Sequence, residues 1–382
     1  MLLKLKIFSI VCLVTWRRLV WGKAVTARGE IRKVIIFQSG KLGDSICATP
    51  VFRAVKNKFP DCKVVIVGNP LSKLIHQYNS DVDSFIAYDE KKFFDTIENI
   101  RAEKADYACL LSPSAFGLGA LFLSGIPLIV APVVKSGWSP YETKAYKIMS
   151  HFVRTVEYVM GNYVPREYLK VLEPIDIFTD DVTKHVFWSA EATVKMNALI
   201  ADIEKKQRIP IGIMPGAGNK IKEWPPERFA AVADHLITTH NAHIFIIGSE
   251  ANRNEIDTMI AHVQNTEHVT DSSWTTLDEM KALVSMMRMT VSVDTGPVFI
   301  AEACGVPTID IGGVIHPNDM APNDGKFHIL ITYDGEPLLW SLNSRVYDYA
   351  AARTGIESIT VDTVVREIDT LLEKISLRDG AV

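Results

Sequence analysis

Three short stretches of the chain combine glycines with charged or hydroxyl side chains, and each directly follows an apolar run. The first is QSGKLGDSICATP at 38–50. Gly40 and Gly43 permit a tight turn around Lys41, and Asp44 or Ser45 suits the cap of a following helix. A phosphate loop would need GxxxxGK[ST], but Lys41 precedes the second glycine; the dinucleotide pattern GxGxxG is also absent. Two readings of Asp44 stay open: a helix cap, or a carboxylate held at a strand-to-helix turn and pointed into a cleft. The second stretch is MPGAGNKIKEWPPERF at 214–229. Gly216 and Gly218 let a ligand approach the backbone, while Lys220 and Lys222 precede a Pro225-Pro226 pair that fits the first turn of a helix. Lysines on a glycine turn suit a diphosphate, although a solvated loop lysine looks the same in sequence. The third is SVDTGPVFIAEACGVP at 292–307. Here Asp294, Thr295 and Gly296 enter a helix with Pro297 in its first turn, so backbone amides and the positive helix end offer an anion site. A plain capping turn is the alternative. In a fourth loop, IGSEANRNE at 247–255, Glu250 is placed to accept hydrogen bonds from ribose hydroxyls.

These loops need elements that hold them at one edge. Short runs rich in β-branched residues recur at 33–37, 63–67, 84–88, 107–111 and 127–131, with helix-like spacing at 45–58 and 91–104. A second series lies at 211–214, 243–248, 267–271, 289–294, 307–312 and 328–332. Helices are predicted between its members at about 189–206, 226–239, 253–263, 276–286 and 297–304. Segment 133–175 lacks strand signals and reads as a helix over about 143–161 followed by a connector. An amphipathic helix closes the chain at 360–375, with Val364, Ile368, Leu371 and Leu372 on one side. Apolar strands alternating with helices predict parallel sheets covered on both faces. The fold class is therefore α/β: two Rossmann-like, doubly wound domains at 33–172 and 173–382, facing across a cleft. Ligands of such sheets bind beyond the carboxyl ends of the strands, where the four loops lie.

The 382 residues are 48% apolar and 23% charged, which excludes a disordered chain or a small disulfide scaffold. Five scattered cysteines without a CxxC pair argue against a zinc ribbon and favour a reducing compartment. The net charge of −4 conceals an asymmetry: residues 1–33 carry eight basic side chains against Glu30, so the arm is +7 and the rest −11. An acidic body argues against nucleic acid as a partner. Between Lys6 and Arg17 lie ten uncharged residues, about 15 Å of helix against a hydrocarbon core of about 30 Å. Residues 1–28 are read as a basic amphipathic helix lying on a membrane surface. A helix packed on the body and a secretory signal cleaved after Val25-Thr26-Ala27 are the competing readings.

Taken together, KLGDSICATPVFRAVKNKFP, PGAGNKIKEWPPERFAAVADHL and VDTGPVFIAEACGVPTIDIGG resemble the three signature blocks of the lipopolysaccharide heptosyltransferases, glycosyltransferase family 9. The blocks occur in order between about Lys33 and Lys374. The resemblance implies a GT-B fold, with acceptor on the first domain and nucleotide-sugar donor on the second. It implies inverting transfer of a heptose or similar sugar, ADP-heptose being the expected donor, with neither metal nor cofactor. Asp44 takes the place of the catalytic base, in a loop shared with Gly40, Lys41 and Gly43. Lys222 matches the lysine that contacts donor phosphate and is counted with the catalytic residues. Asp294, Thr295 and Gly296 match the diphosphate-binding DTG, with Gly216, Gly218 and Glu250 completing the donor side. The family usually has histidine three residues beyond that glycine; here the residue is Phe299.

The basic, apolar arm places the expected enzyme at the cytoplasmic face of the inner membrane, where a lipid-linked glycan would be its acceptor. A related transferase with another nucleotide sugar, or a catalytically silent glycan-binding or nucleotide-binding homologue, are the alternatives. Two further patterns are set aside. Asp81-Val82-Asp83 spells a metal-binding DxD, but precedes a strand instead of following one. His235, His240 and His243 span a helix end and the next strand, where surface histidines are the default.

Overall fold

The computed structural model describes residues 2–21, 30–343 and 348–380. Two units form: Met1–Lys184 with Ser341–Asn343, and His185–Trp340 with Ser344–Val382. The boundary falls after Lys184, later than the predicted 172/173. Residues 173–184 stay with the first unit because Ile175 and Ile177 are buried, Arg53 donates to Thr183 O at 2.7 Å, and Arg53 pairs with Asp181 at 2.9 Å.

The first unit holds β1 (Lys33–Phe37), β2 (Lys63–Gly68), β3 (Ser84–Ala87), β4 (Tyr107–Leu110), β5 (Leu128–Ser136) and β6 (Arg154–Val159). All pairs are parallel, in the order β3-β2-β1-β4-β5-β6. The second holds β7 (Ile209–Met214), β8 (Ala242–Ile246), β9 (Val269–Asp271), β10 (Met289–Val293), β11 (Thr308–Gly313) and β12 (His328–Thr332). It repeats the same winding: β9-β8-β7-β10-β11-β12, again all parallel. The central strands are largely apolar because helices cover both sheet faces; Val34, Ile35 and Ile36 of β1 are all fully buried. In each unit the strand order reverses between the first and fourth strands, and that is where doubly wound sheets bind ligands.

The segment predicted as helix over 143–161 instead contains the helix Lys144–Ser150 and then β6. As an edge strand, RTVEYV interleaves polar and apolar residues and half of them are exposed, so it lacks the continuous apolar run of the other strands. Asp83 of the discarded DxD is structural: its carboxylate pairs with Lys56 at 2.6 Å and Lys63 at 2.9 Å and accepts from Val64 N at 2.8 Å.

The arm forms a helix, Leu2–Trp21, that packs on the first unit. Ile10 and Val14 enter the core, Ile10 lying against Gly119 where no larger residue would fit. Arg17 turns inward and donates to Leu123 O, a carbonyl it shares with Arg101. The helix is therefore not amphipathic as expected: its opposite side is apolar too, with Phe8 68%, Trp16 61% and Leu19 79% exposed at helical spacing. The proposed Val25-Thr26-Ala27 cleavage site lies outside the described residues. No described helix is long and apolar enough to cross a membrane.

Candidate active site

In the second unit the glycine turn after β7 is fastened at several points. Trp224 is fully buried, donates from Nε1 to Ile359 O at 2.9 Å and meets Phe229 edge-on, so the Trp-Pro-Pro sequence anchors the turn to the core. Glu223 accepts from Ala217 N at 3.2 Å, and its carbonyl receives Arg353 Nη1 at 2.5 Å. Lys220 spans Glu223 at 2.9 Å and Glu255 at 2.6 Å. It is a brace for the loop more than a free cation. Gly216 is pressed by the Asn252 side chain, which occupies the space a Cβ would need. Gly218 and Glu250 are both exposed, Glu250 opening the short turn Glu250–Asn252 after β8.

Lys222 is different. Its ammonium reaches Asp294 Oδ2 at the end of β10, so a single ion pair joins the loops after β7 and β10. Those are the strands between which the sheet order reverses. The pair is partly desolvated, with the Lys222 side chain 23% and the Asp294 side chain 9% exposed. Thr295 stands at the N-cap of the helix Gly296–Ala303, with Pro297 in its first turn. The first amides of such a helix lack intrahelical acceptors and carry the positive end of its dipole. Lys222, Thr295 and Gly296 thus concentrate positive potential around one buried carboxylate, which suits a diphosphate.

Beneath this pair lies a residue the sequence reading passed over. Asp310, in β11, is buried, and neither carboxyl oxygen has a hydrogen-bond partner. Burial, and next the charge of Asp294, push its pKa well above the usual carboxylate range against the pull of Lys222. Burial thus favours the protonated form of Asp310 over a second buried negative charge in the site. A charge inside the strand run PTIDIG was the available signal. Asn252 was missed as well. Beyond the end of β11, His316 and Trp340 stack at 6.1 Å between ring centroids.

In the first unit, the loop after β1 is pinned by two amides. Gln38 accepts from Gly40 N at 2.6 Å and donates to Asp44 O at 3.0 Å, while Asn69 Nδ2 donates to Ser39 O and Gly40 O. Asp44 Oδ2 accepts from Lys41 N at 2.8 Å, so Asp44 does cap the helix Leu42–Cys47. Its side chain folds over Gly40 and is half-buried, with Lys41 exposed and Gly43 buried in the first turn. Burial, and next the charge of Asp44, raise the Tyr168 hydroxyl well above the ordinary tyrosine range. Cap and strand-end carboxylate are one residue here, and neither reading displaces the other.

Paired parallel sheets of identical winding, with chemistry at the strand ends, define the GT-B class of glycosyltransferase fold. The comparisons agree. A glycosyltransferase family 9 structure from Veillonella parvula DSM 2008 superposes with a TM-score of 0.72 at 18% identity, over 91% of this chain and 99% of that one. The Escherichia coli ADP-heptose lipopolysaccharide heptosyltransferase II superposes at 0.68, with 16% identity over 90% and 99%. Escherichia coli lipopolysaccharide heptosyltransferase 3 is 24% identical over 282 residues, 71% of this chain and 80% of that protein. Residues 124–335, more than half the chain, match the model of glycosyltransferase family 9 (heptosyltransferase). The chain belongs to that family, and it is a glycosyltransferase enzyme.

Proposed function

We propose that this enzyme moves a heptose from ADP-heptose to a lipopolysaccharide or other cell-surface glycan, with inversion at the sugar carbon. The Lys222–Asp294 ion pair at the order reversal of the second sheet is the observation that carries the reading. The relatives' names support the substrate class: lipopolysaccharide heptosyltransferase 3, and WaaC structures with ADP and with ADP-2-deoxy-2-fluoro heptose.

In this reading Asp44 takes the proton of the acceptor hydroxyl as its oxygen attacks the anomeric carbon. The bond from that carbon to the diphosphate breaks on the opposite face, and the electron pair leaves with the nucleoside diphosphate. Lys222 and the amides of Thr295 and Gly296 meet the charge that grows on the leaving group. Glu250 binds the ribose, Gly218 gives the phosphates access to the backbone, and Gly216 makes room for the Asn252 side chain beside them. With positive charge supplied by the lysine and the helix end, the step as proposed uses no metal. A different nucleotide-sugar donor is the second reading, favoured by Phe299, a buried side chain where the family usually has histidine.

The acceptor in this proposal is lipid-linked, and the enzyme sits on the cytoplasmic face of the inner membrane. The uncovered Phe8, Trp16 and Leu19 support this location, because a helix apolar on both faces has one more apolar surface to satisfy. The test of function is a thermal-shift series with ADP-heptose and with UDP- and GDP-sugars, followed by mass analysis of the product. ADP-heptose alone should raise the Tm. A preference for a UDP- or GDP-sugar transfers the assignment to the second reading, and no response to any of them removes both.

A further inference from the structure

On the flank of the second unit, two histidines and an aspartate converge from two helices. His235 and His240 lie on the helix Pro226–His240, and Asp369 lies on the C-terminal helix Val361–Gly380 packed along it. Both imidazoles point their Nε2 atoms at the same oxygen: His235 is 2.8 Å and His240 2.7 Å from Asp369 Oδ1. The ring centroids are 5.5 Å apart, and all three ligand atoms lie within 4.8 Å of one another. Among the described residues this is the one cluster of histidine, cysteine and carboxylate side chains with metal-ligand spacing. His243, grouped with these two in the sequence reading, does not join; it bonds Thr270 Oγ1 at 2.8 Å instead.

We propose that His235, His240 and Asp369 bind a divalent cation of the zinc class, which fastens the C-terminal helix to the helix that follows the donor-side loop. Zinc takes imidazole nitrogen and carboxylate oxygen at about 2.0–2.2 Å, which sets tetrahedral ligand atoms about 3.3–3.6 Å apart. The present Nε2–Oδ1 separations need to open by less than about 1 Å to admit it. Two nitrogen donors favour zinc over magnesium or calcium, which prefer all-oxygen shells. Without metal, the short Nε2–Oδ1 distances are those of hydrogen bonds from Nε2–H to Asp369 in the tautomer that carries its proton on Nε2. With metal, that proton moves to Nδ1, and Thr239 Oγ1 stands 3.4 Å from His235 Nδ1 to receive its hydrogen bond. All three side chains are partly exposed, so an ion has a path from solvent. Three protein ligands leave the fourth position to water or to a donor from another molecule. Below the site Val364, Ile368, Leu371 and Leu372 already bury the apolar part of the helix, so the cation closes the polar rim of an existing contact.

The experiment uses the full chain, free of any histidine tag and stripped with a chelator, titrated with zinc chloride by calorimetry and with cobalt(II) by visible absorption. Wild type should bind one equivalent of zinc and give the absorption of a four-coordinate cobalt site. Excess zinc at about a hundred times Kd should raise the Tm by roughly 5 °C. Affinity should fall at least tenfold in His240→Gln and in Asp369→Asn, both checked for native circular dichroism, with His235→Gln as the replacement for a variant that misfolds. The proposal is overturned if wild type takes up no stoichiometric zinc, which needs no variant to read. Uptake that persists unchanged in the folded variants overturns it too, since the ion then lies elsewhere. The cluster is apart from the Lys222–Asp294 loops, so either result leaves the glycosyl-transfer reading untouched.

Discussion

Replacing Lys222 by methionine keeps the length of the side chain and removes its charge. A charge-assisted hydrogen bond to a diphosphate contributes about 1.5–3 kcal/mol, so ADP should bind roughly ten- to a hundredfold more weakly. The variant also leaves Asp294 without its cation in a site where only 9% of that side chain is exposed. Breaking a fully buried pair costs about 3–5 kcal/mol; Lys222 is 23% exposed and water can reach the gap, so about 1–3 kcal/mol of stability is expected. These two losses separate in the double variant Lys222→Met/Asp294→Asn, which removes the orphaned charge. Its Tm should recover while its ADP affinity stays low. Lys220→Met is the control: that side chain is 57% exposed, and surface pairs contribute about 0–1 kcal/mol, so its ADP affinity should fall less than about fivefold. Isothermal titration with ADP and thermal melts read both quantities. Equal losses for the two lysines, or unchanged affinity in Lys222→Met, would refute the assignment of Lys222 to the diphosphate.

Asp44→Asn retains an acceptor for Lys41 N, so the helix cap and donor affinity should survive while turnover drops about a hundredfold or more; near-normal transfer would exclude Asp44 as the base. Asp310→Asn should be stabilising in a pH-dependent way. The raised pKa of Asp310 means its contribution is fully present below the ordinary carboxylate value of about 4 and is lost as pH rises through the folded-state value. The Tm advantage of the variant over wild type should therefore widen from pH 5 to pH 8, and a constant difference would mean that Asp310 is ionised in the fold. Trp16→Ser/Leu19→Ser should cut binding to phosphatidylglycerol vesicles roughly thirtyfold or more, since each exposed side chain offers about 1–2 kcal/mol of burial. Transfer to a soluble acceptor fragment should be unaffected, and unchanged vesicle binding would sink the membrane reading.

The alternation of strands and helices was legible because buried parallel strands must be continuous apolar runs. The same reasoning explains what was not. RTVEYV pairs on one side only and meets solvent, so β6 carries no such run, and its neighbour Lys144–Ser150 drew the whole segment into one predicted helix. Ala115–Ser124, AFGLGALFLS, is buried almost all round and so shows no helical periodicity at all. The candidate site loops stood out because their chemistry is local: glycine, lysine and aspartate within a few residues of a strand end. Asp310 did not, since its meaning depends on β11 lying beside β10, an adjacency set by the sheet order.

The arm shows the same division between local and non-local information. Its composition established that it is basic and apolar, which fits equally a helix on the protein and one on a membrane. Choosing between them requires knowing which apolar residues the body consumes. Ile10 and Val14 go inward, and with them Arg17, one of the basic side chains of the arm. Among the described side chains of the arm, the large apolar ones left outside are Phe8, Leu13, Trp16 and Leu19. The packed-helix reading and the membrane-surface reading are thus compatible: one helix divides its apolar residues between two partners. Body packing holds the helix in place beforehand, so a bilayer that took up the outer stripe would need to supply none of the free energy of folding it.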